Sequence, residues 1–187
     1  MKTPSIKTAS ARQLRRRSLH ASLAACALVL GMAATGQAQA ASVGVTGEKV
    51  SDGFLPEIVR AKLKGDESSG FEDGTDVGRI LVIKYTVAPG GSFGWHRHGG
   101  PVWAVIMQGT LTMYDGDDPT CTGTDYAPLG DLDGDGFVDG TALLDAGDHL
   151  HNAVNHGDIP VVVYATFMLP DGAPTKIDAP NPGFCPF

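Results

Sequence analysis

The residues best equipped for chemistry in this chain are histidines, in two pairs of equal spacing: His96-Arg-His98 after a glycine-rich turn, and His149-Leu-His151 late in the sequence. In an extended segment, residues two apart project to the same side, so both rings of a pair can face one point. Neutral imidazoles that converge in a semi-buried place are a ready chelate for a divalent metal ion. His96, His98 and His151 are therefore candidate metal ligands. His149 is a further candidate, although a turn just before it could aim its ring at solvent. His156 reads as a loop residue. Imidazole ligands alone do not choose among Zn²⁺, Fe²⁺, Mn²⁺, Ni²⁺ and Cu²⁺.

A second cluster consists of acids. Asp131, Asp133, Asp135 and Asp139 occupy the oxygen-donor positions at the front of a calcium loop, with Gly136 where such loops turn sharply. The closing position is Ala142, where a bidentate acid belongs, and no helical pattern flanks the segment. Calcium binding there competes with an acidic surface loop. The chain contains no G-x-S-x-G, P-loop or dinucleotide fingerprint, so no catalytic residue is assigned.

The elements that must position these side chains read as strands. Arg79 to Val87 is rich in β-branched and aromatic residues and stops at Pro89-Gly90-Gly91. Val102 to Gln108 and Thr110 to Tyr114 form a hairpin pattern about Gly109. Further strands are expected near Phe137-Val138, Ala142 to Leu144, His151 to Asn155 and Val161 to Leu169. Many short strands between turn residues imply an all-β jelly-roll sandwich or barrel. Residues 41–78, with no clean period, read as an N-terminal arm holding one short strand or helical turn. Trp95, Trp103, Phe93 and Tyr164 are candidates to line an apolar pocket beside the histidines, or simply core.

The first forty residues differ from the rest. They carry Lys2, Lys7, Arg12, Arg15, Arg16 and Arg17 with no acid, then an apolar stretch from Ala21 to Ala34, then Ala38-Gln39-Ala40. This is the layout of an export signal, cleaved near Ala41, whose apolar run is short for a spanning helix. Arg16-Arg17-Ser18-Leu19 has the form of a twin-arginine signal, alongside an ordinary Sec reading. Leu23-Ala-Ala-Cys26 resembles a lipoprotein box but is followed by more apolar sequence. A periplasmic or secreted protein with no stable membrane anchor is expected.

Cleavage would remove six of the fourteen basic residues and none of the twenty-one acidic ones, a change in formal charge from −7 to −13. Such a surface repels nucleic acid and favours cations or neutral small molecules. Cys121 and Cys185 then remain as a single pair, expected to join in an oxidising compartment and to pin the proline-rich tail to the body.

On these residues the chain resembles the cupin superfamily. Gly91-Ser-Phe-Gly-Trp-His96-Arg-His98, closing at Gly109, is similar to the first cupin motif, and His151-Asn-Ala-Val-Asn155 to the end of the second. The similarity runs from Arg79 to Leu169. The Gly94-Trp-His-x-His block, Gly136-Phe-Val, His149-x-His151 and the Pro182-Gly-Phe-Cys185 tail also look like a group of exported bacterial single-domain cupins. The resemblance implies a double-stranded β-helix barrel with His96, His98 and His151 as metal ligands, in a family whose barrels often pair as homodimers.

Two positions depart from the family pattern. Val102 stands where a glutamate ligand is usual, and the Pro-x-Gly turn of the second motif reads Ala146-Gly147-Asp148. Gln108 lies ~20 Å further along the strand and is no substitute. Without the glutamate, the charge of a divalent ion would be uncompensated by protein, which favours a bound anion. Two function classes fit. One is a metal-dependent enzyme acting on a small molecule, such as a dioxygenase, isomerase or hydrolase. The other is a non-catalytic ligand-binding or structural barrel with a degenerate metal site.

Overall fold

The computed structural model describes residues 41–62 and 74–187. The proposed export signal of residues 1–40, with its twin-arginine and lipoprotein features, lies outside them. The described residues form ten strands and no helix: β1 (Val43–Ala61), β2 (Thr75–Ser92), β3 (His96–Arg97), β4 (Val102–Gln108), β5 (Leu111–Asp115), β6 (Gly123–Tyr126), β7 (Thr141–Asp145), β8 (His151–Val154), β9 (Val161–Leu169) and β10 (Ile177–Asp178).

All pairings are antiparallel, and they fall into two faces of a jelly roll. One runs β1, β2, β9, β4, β7, and the other runs β10, β3, β8, β5, β6. The faces are joined where Ser92 at the end of β2 pairs with Val154 of β8. Strands far apart in sequence thus become neighbours, and His96 of β3 sits directly opposite His151 of β8.

The core follows from alternation along the strands. In β9, Val161, Val163, Ala165, Phe167 and Leu169 are buried, and in β4 so are Val102, Ala104 and Ile106. Side chains on a pleated strand alternate between faces, so the residues between these point outward. That rule corrects the expected pocket. Trp103 and Tyr164 lie on the outer face, 40% and 37% exposed. Trp95 is fully buried and donates its Nε1–H to the Phe187 carbonyl at 2.8 Å. Of the four aromatics, Phe93 alone lines the cavity beside the histidines.

Three expected elements change. The first is the hairpin about Gly109: β4 pairs with β7 and β9, and β5 with β6 and β8, so Gly109 carries the chain from one face to the other instead of joining paired strands. The segment from residue 41 contains a 19-residue strand, β1, rather than a short one. It lies on the edge of its face, mostly exposed on both sides, so no in-and-out hydrophobic period marks it. Pro56 falls in the register shift between Phe54 and Val59, where no ladder hydrogen bond is required of it. Phe137-Val138 is not a strand. It belongs to an exposed loop whose carboxylates fold it locally: Asp135 Oδ1 accepts the Phe137 N–H at 2.8 Å, and Asp139 Oδ2 accepts that of Leu132 at 2.7 Å.

The expected disulfide is present. Cys121 and Cys185 are bonded, with Cα atoms 5.4 Å apart across 64 residues of sequence. Among the described residues, no helix is long and apolar enough to cross a membrane.

Ile106→Ala should cost about 2–5 kcal/mol in denaturant unfolding, since it removes the three carbons beyond Cβ from a fully buried site. Phe137→Ala, at a site 75% exposed, should stay within about 0.5 kcal/mol. Equal costs would contradict this division between core and loop.

Candidate metal centre

Each histidine of the first pair is aimed by a hydrogen bond to main chain. His96 is buried in β3, and its Nδ1 donates to the Gly94 carbonyl at 2.7 Å. The turn before it is held by Ser92, whose Oγ donates to Asn152 Oδ1 and accepts the Gly94 N–H. His98 Nδ1 donates to the Thr175 carbonyl at 2.6 Å, in the segment that leads into β10. His151 begins β8, and its Nδ1 faces two acceptors at 3.0 Å, the His149 carbonyl and Asp145 Oδ2. Carbonyl acceptors at Nδ1 of His96 and His98 require the proton there, and both acceptors of His151 require the same.

The three rings converge. Their centroids are 4.3 Å (His96 to His151), 4.8 Å (His96 to His98) and 5.0 Å (His98 to His151) apart. One nitrogen from each lies within 4.8 Å of the other two, a grouping that could hold a metal ion. With Nδ1 engaged on all three, Nε2 carries the available lone pair. The rings wall one end of a cavity of about 70 Å³ whose other lining includes Phe93, Val102, Met113 and Phe167.

Electrostatics keep the first pair neutral. Burial, then the neighbouring His151 and His98, push His96 down to about 2. Burial and His151 likewise push His98 down to about 4, partly opposed by Asp145. For Asp145, burial pushes upward, but the hydrogen bond from His151, the charges of His151 and His98 and the Gly147 N–H outweigh it and hold the carboxyl at about 2. The acid is ionised and the two imidazoles are free bases at neutral pH, as a metal site requires.

Asp145 is the residue that sequence reasoning missed. It closes β7 and pairs across the ladder with Val102, the position expected to leave the site without a carboxylate. That expectation is corrected by a carboxylate 8% exposed, lining the same cavity. Its Oδ1 accepts the Gly147 N–H at 2.6 Å. Gly147 has φ +107, and a side chain there would strike the Gly100 backbone, so glycine is required at this crossing. The available signal was its phase: Asp145 alternates with the exposed Ala142 and Leu144, which places an acid on the inward side of a strand.

His149 is not brought together with His96 and His98. Its Nε2 lies 2.9 Å from Asp115 Oδ1, in a polar cleft of about 430 Å³ that shares Asp145 and His151 with the first cavity, and it groups with those two residues and not with the first pair. His156 pairs with the Tyr114 hydroxyl at 2.8 Å. In the acidic loop, Asp131, Asp133 and Asp139 offer oxygens within 4.8 Å of one another, and Asp135 does not join them. Asp131 spends both oxygens on the N–H groups of Gly134 and Gly136. Asn155 is structural: its Nδ2 donates to the Val87 and Ile159 carbonyls.

The tail clamps the first pair from behind. β10 pairs with β3 through Ile177 with Arg97 and Asp178 with His96, and the Ala179 N–H donates to the Trp95 carbonyl. The disulfide fixes this tail to the loop that carries Cys121, itself folded by Asp118, which accepts from Thr120 and Thr122.

No family model and no curated protein matches the chain. Among solved structures, the polyketide cyclase RemF from Streptomyces resistomycificus is similar at TM-score 0.47 and 13% identity, over 77% of this chain and 79% of that one. KdgF from Halomonas sp. gives 0.41 and 12%, over 68% and 82%. The Cupin_2 domain of an XRE family transcriptional regulator from Enterobacter cloacae gives 0.40 and 17%, over 68% and 99%. All three fall below a TM-score of 0.5, so the fold assignment rests on strand order and register.

Two outcomes follow. The metal-free protein should lose stability as pH falls from about 6.5 toward 4, because the unfolded chain takes up protons that buried His96 and His98 refuse. Each group contributes up to about 1.4 kcal/mol per unit within its window. Asp145 acts in the same sense between its ordinary 3.8 and about 2, since its stabilisation exists only while it is ionised. Urea midpoints of the wild type and His96→Ala/His98→Ala should therefore converge in acid, and parallel curves would count against neutral burial. Separately, reducing the disulfide should cost about 2–4 kcal/mol and broaden the NMR signals of His98, whose acceptor sits in the released tail.

Proposed function

We propose that this chain is an exported, metal-binding member of the cupin superfamily that holds one divalent transition metal ion beside a cavity for a small organic ligand. The observation that carries the reading is the commitment of Nδ1 on all three rings, which turns the Nε2 atoms of His96, His98 and His151 toward one another. Three converging lone pairs without a proton between them are poorly placed unless a cation sits among them. The jelly-roll strand order and the two histidine motifs support the family reading together.

When bound, a divalent ion would supply Lewis-acid or redox chemistry suited to oxidation, isomerisation or hydrolysis. The chain's own residues set what could reach it. Phe93, Val102, Met113 and Phe167 give an apolar, water-poor wall. Lys176, at the same cavity and beside Asp178, adds a cation that suits an anionic group on the ligand. The cavity is about half the ~150 Å³ that encloses benzene in an engineered core, so the ligand is small or only its reactive end enters.

Export is supported by the disulfide, which is at home in an oxidising compartment, and by the basic leader with its small-residue cleavage pattern. The Sec and twin-arginine routes both suit it. The small cavity and Val102 favour, as a second reading, a non-catalytic binding barrel.

The test is elemental analysis of protein purified without chelator. About one equivalent of a transition metal is expected in the wild type and none in His96→Ala/His98→Ala. No metal in either, after anaerobic reconstitution, would remove the metal reading and leave the non-catalytic barrel.

A further inference from the structure

We propose that Asp145 is the carboxylate of this metal centre, moved from β4 to the facing residue of β7, and that it acts as a positioning residue by holding the proton on Nδ1 of His151. The proposal rests on the metal reading above. Its basis is a juxtaposition: Val102 and Asp145 are partners in the β4–β7 ladder, and both line the cavity that His96, His98 and His151 also line. The position at which the family resembled carries a glutamate is thus faced, one strand away, by a carboxylate at the same level of the barrel.

The geometry defines what Asp145 does. Oδ1 is taken by the Gly147 N–H at 2.6 Å, and Oδ2 lies 3.0 Å from His151 Nδ1. The His149 carbonyl shares that N–H at 3.0 Å, so the carboxylate is not the sole acceptor. It is the charged one. A carboxylate on the far nitrogen of a ligating imidazole raises the basicity of the near one and fixes its orientation, and loss of such a partner typically weakens metal binding 10–100-fold. Asp145 also places a carboxylate beside the three imidazoles, in a buried setting where charge compensation matters most.

Asparagine is the informative substitution because it cannot satisfy both neighbours. If its oxygen faces Gly147, its amide NH₂ meets the His151 N–H, and if it is reversed, the NH₂ meets the Gly147 N–H. The side chain's shape is kept, while either the turn or the tautomer must give way.

The experiment measures Zn²⁺ affinity by chelator competition for wild type, Asp145→Asn and Val102→Glu/Asp145→Asn, and reads the ¹⁵N shifts of His151 in the metal-free wild type. A 10–100-fold weaker Kd is expected for Asp145→Asn, with recovery in the double variant, which restores a carboxylate at the facing position. Wild-type His151 should show a protonated Nδ1 and a bare Nε2. Zn²⁺ binding by Asp145→Asn at wild-type affinity would overturn the proposal, and so would a wild-type His151 protonated on Nε2, a reading that does not depend on any variant folding. A wild type that binds no Zn²⁺ overturns the metal reading itself, whereas failure of Asp145 alone leaves the wild type bound to metal.

Discussion

The site depends on where three imidazole protons go. A histidine can present either nitrogen, and what decides is the partner found by the other. Here the partners come from different stretches of chain: a turn carbonyl two residues before His96, a tail carbonyl 77 residues after His98, and the carbonyl of His149 with the carboxylate of Asp145 for His151. Most are main-chain groups, which no side-chain substitution removes directly. The rest of the structure can be understood as the means of bringing these acceptors to one end of the barrel.

The ladders perform that task through register. Because side chains alternate with period two, a slip of β7 by one residue against β4 would turn Asp145 to the outside and bring Leu144 in beside Val102. The alternation of β9 fixes the β4 side of this pairing. Its buried residues Val163, Ala165 and Phe167 pack in the shared core, and β4 pairs along it from Val102 to Gln108. The apolar core is thus the gauge that sets the depth of the acid.

Much of this was legible in the sequence, and for identifiable reasons. Strands with one buried face, such as β4 and β9, announce themselves by alternation, and the two histidine pairs stand out because His-x-His spacing in extended chain has a geometric meaning. The long edge strand β1 was not legible because nearly all of it is solvated, so its residues carry no record of a buried side. β3 and β10, two residues each, are too short to have a period at all and exist through their partners. Asp145 was hidden for another reason. Its importance lies in standing opposite Val102, 43 residues earlier, a relation fixed by pairing and absent from any local pattern. Phe137-Val138 misled in the opposite direction: apolar side chains suggested a strand, whereas neighbouring aspartates had already claimed its backbone.

The clamp of β10 on β3 also imposes an order in time. The acceptor for His98 at Thr175 lies 77 residues beyond it, and the strand behind His96 and the cysteine that secures both follow later still. A nascent chain can lay down the β5–β6 hairpin early, yet the histidines of β3 must wait, unsupported on one side, until that later segment has emerged. Contacts of such long span form slowly. A chain stopped before Thr175 would lack the acceptor that aims His98, even with His96, His98 and His151 all in place.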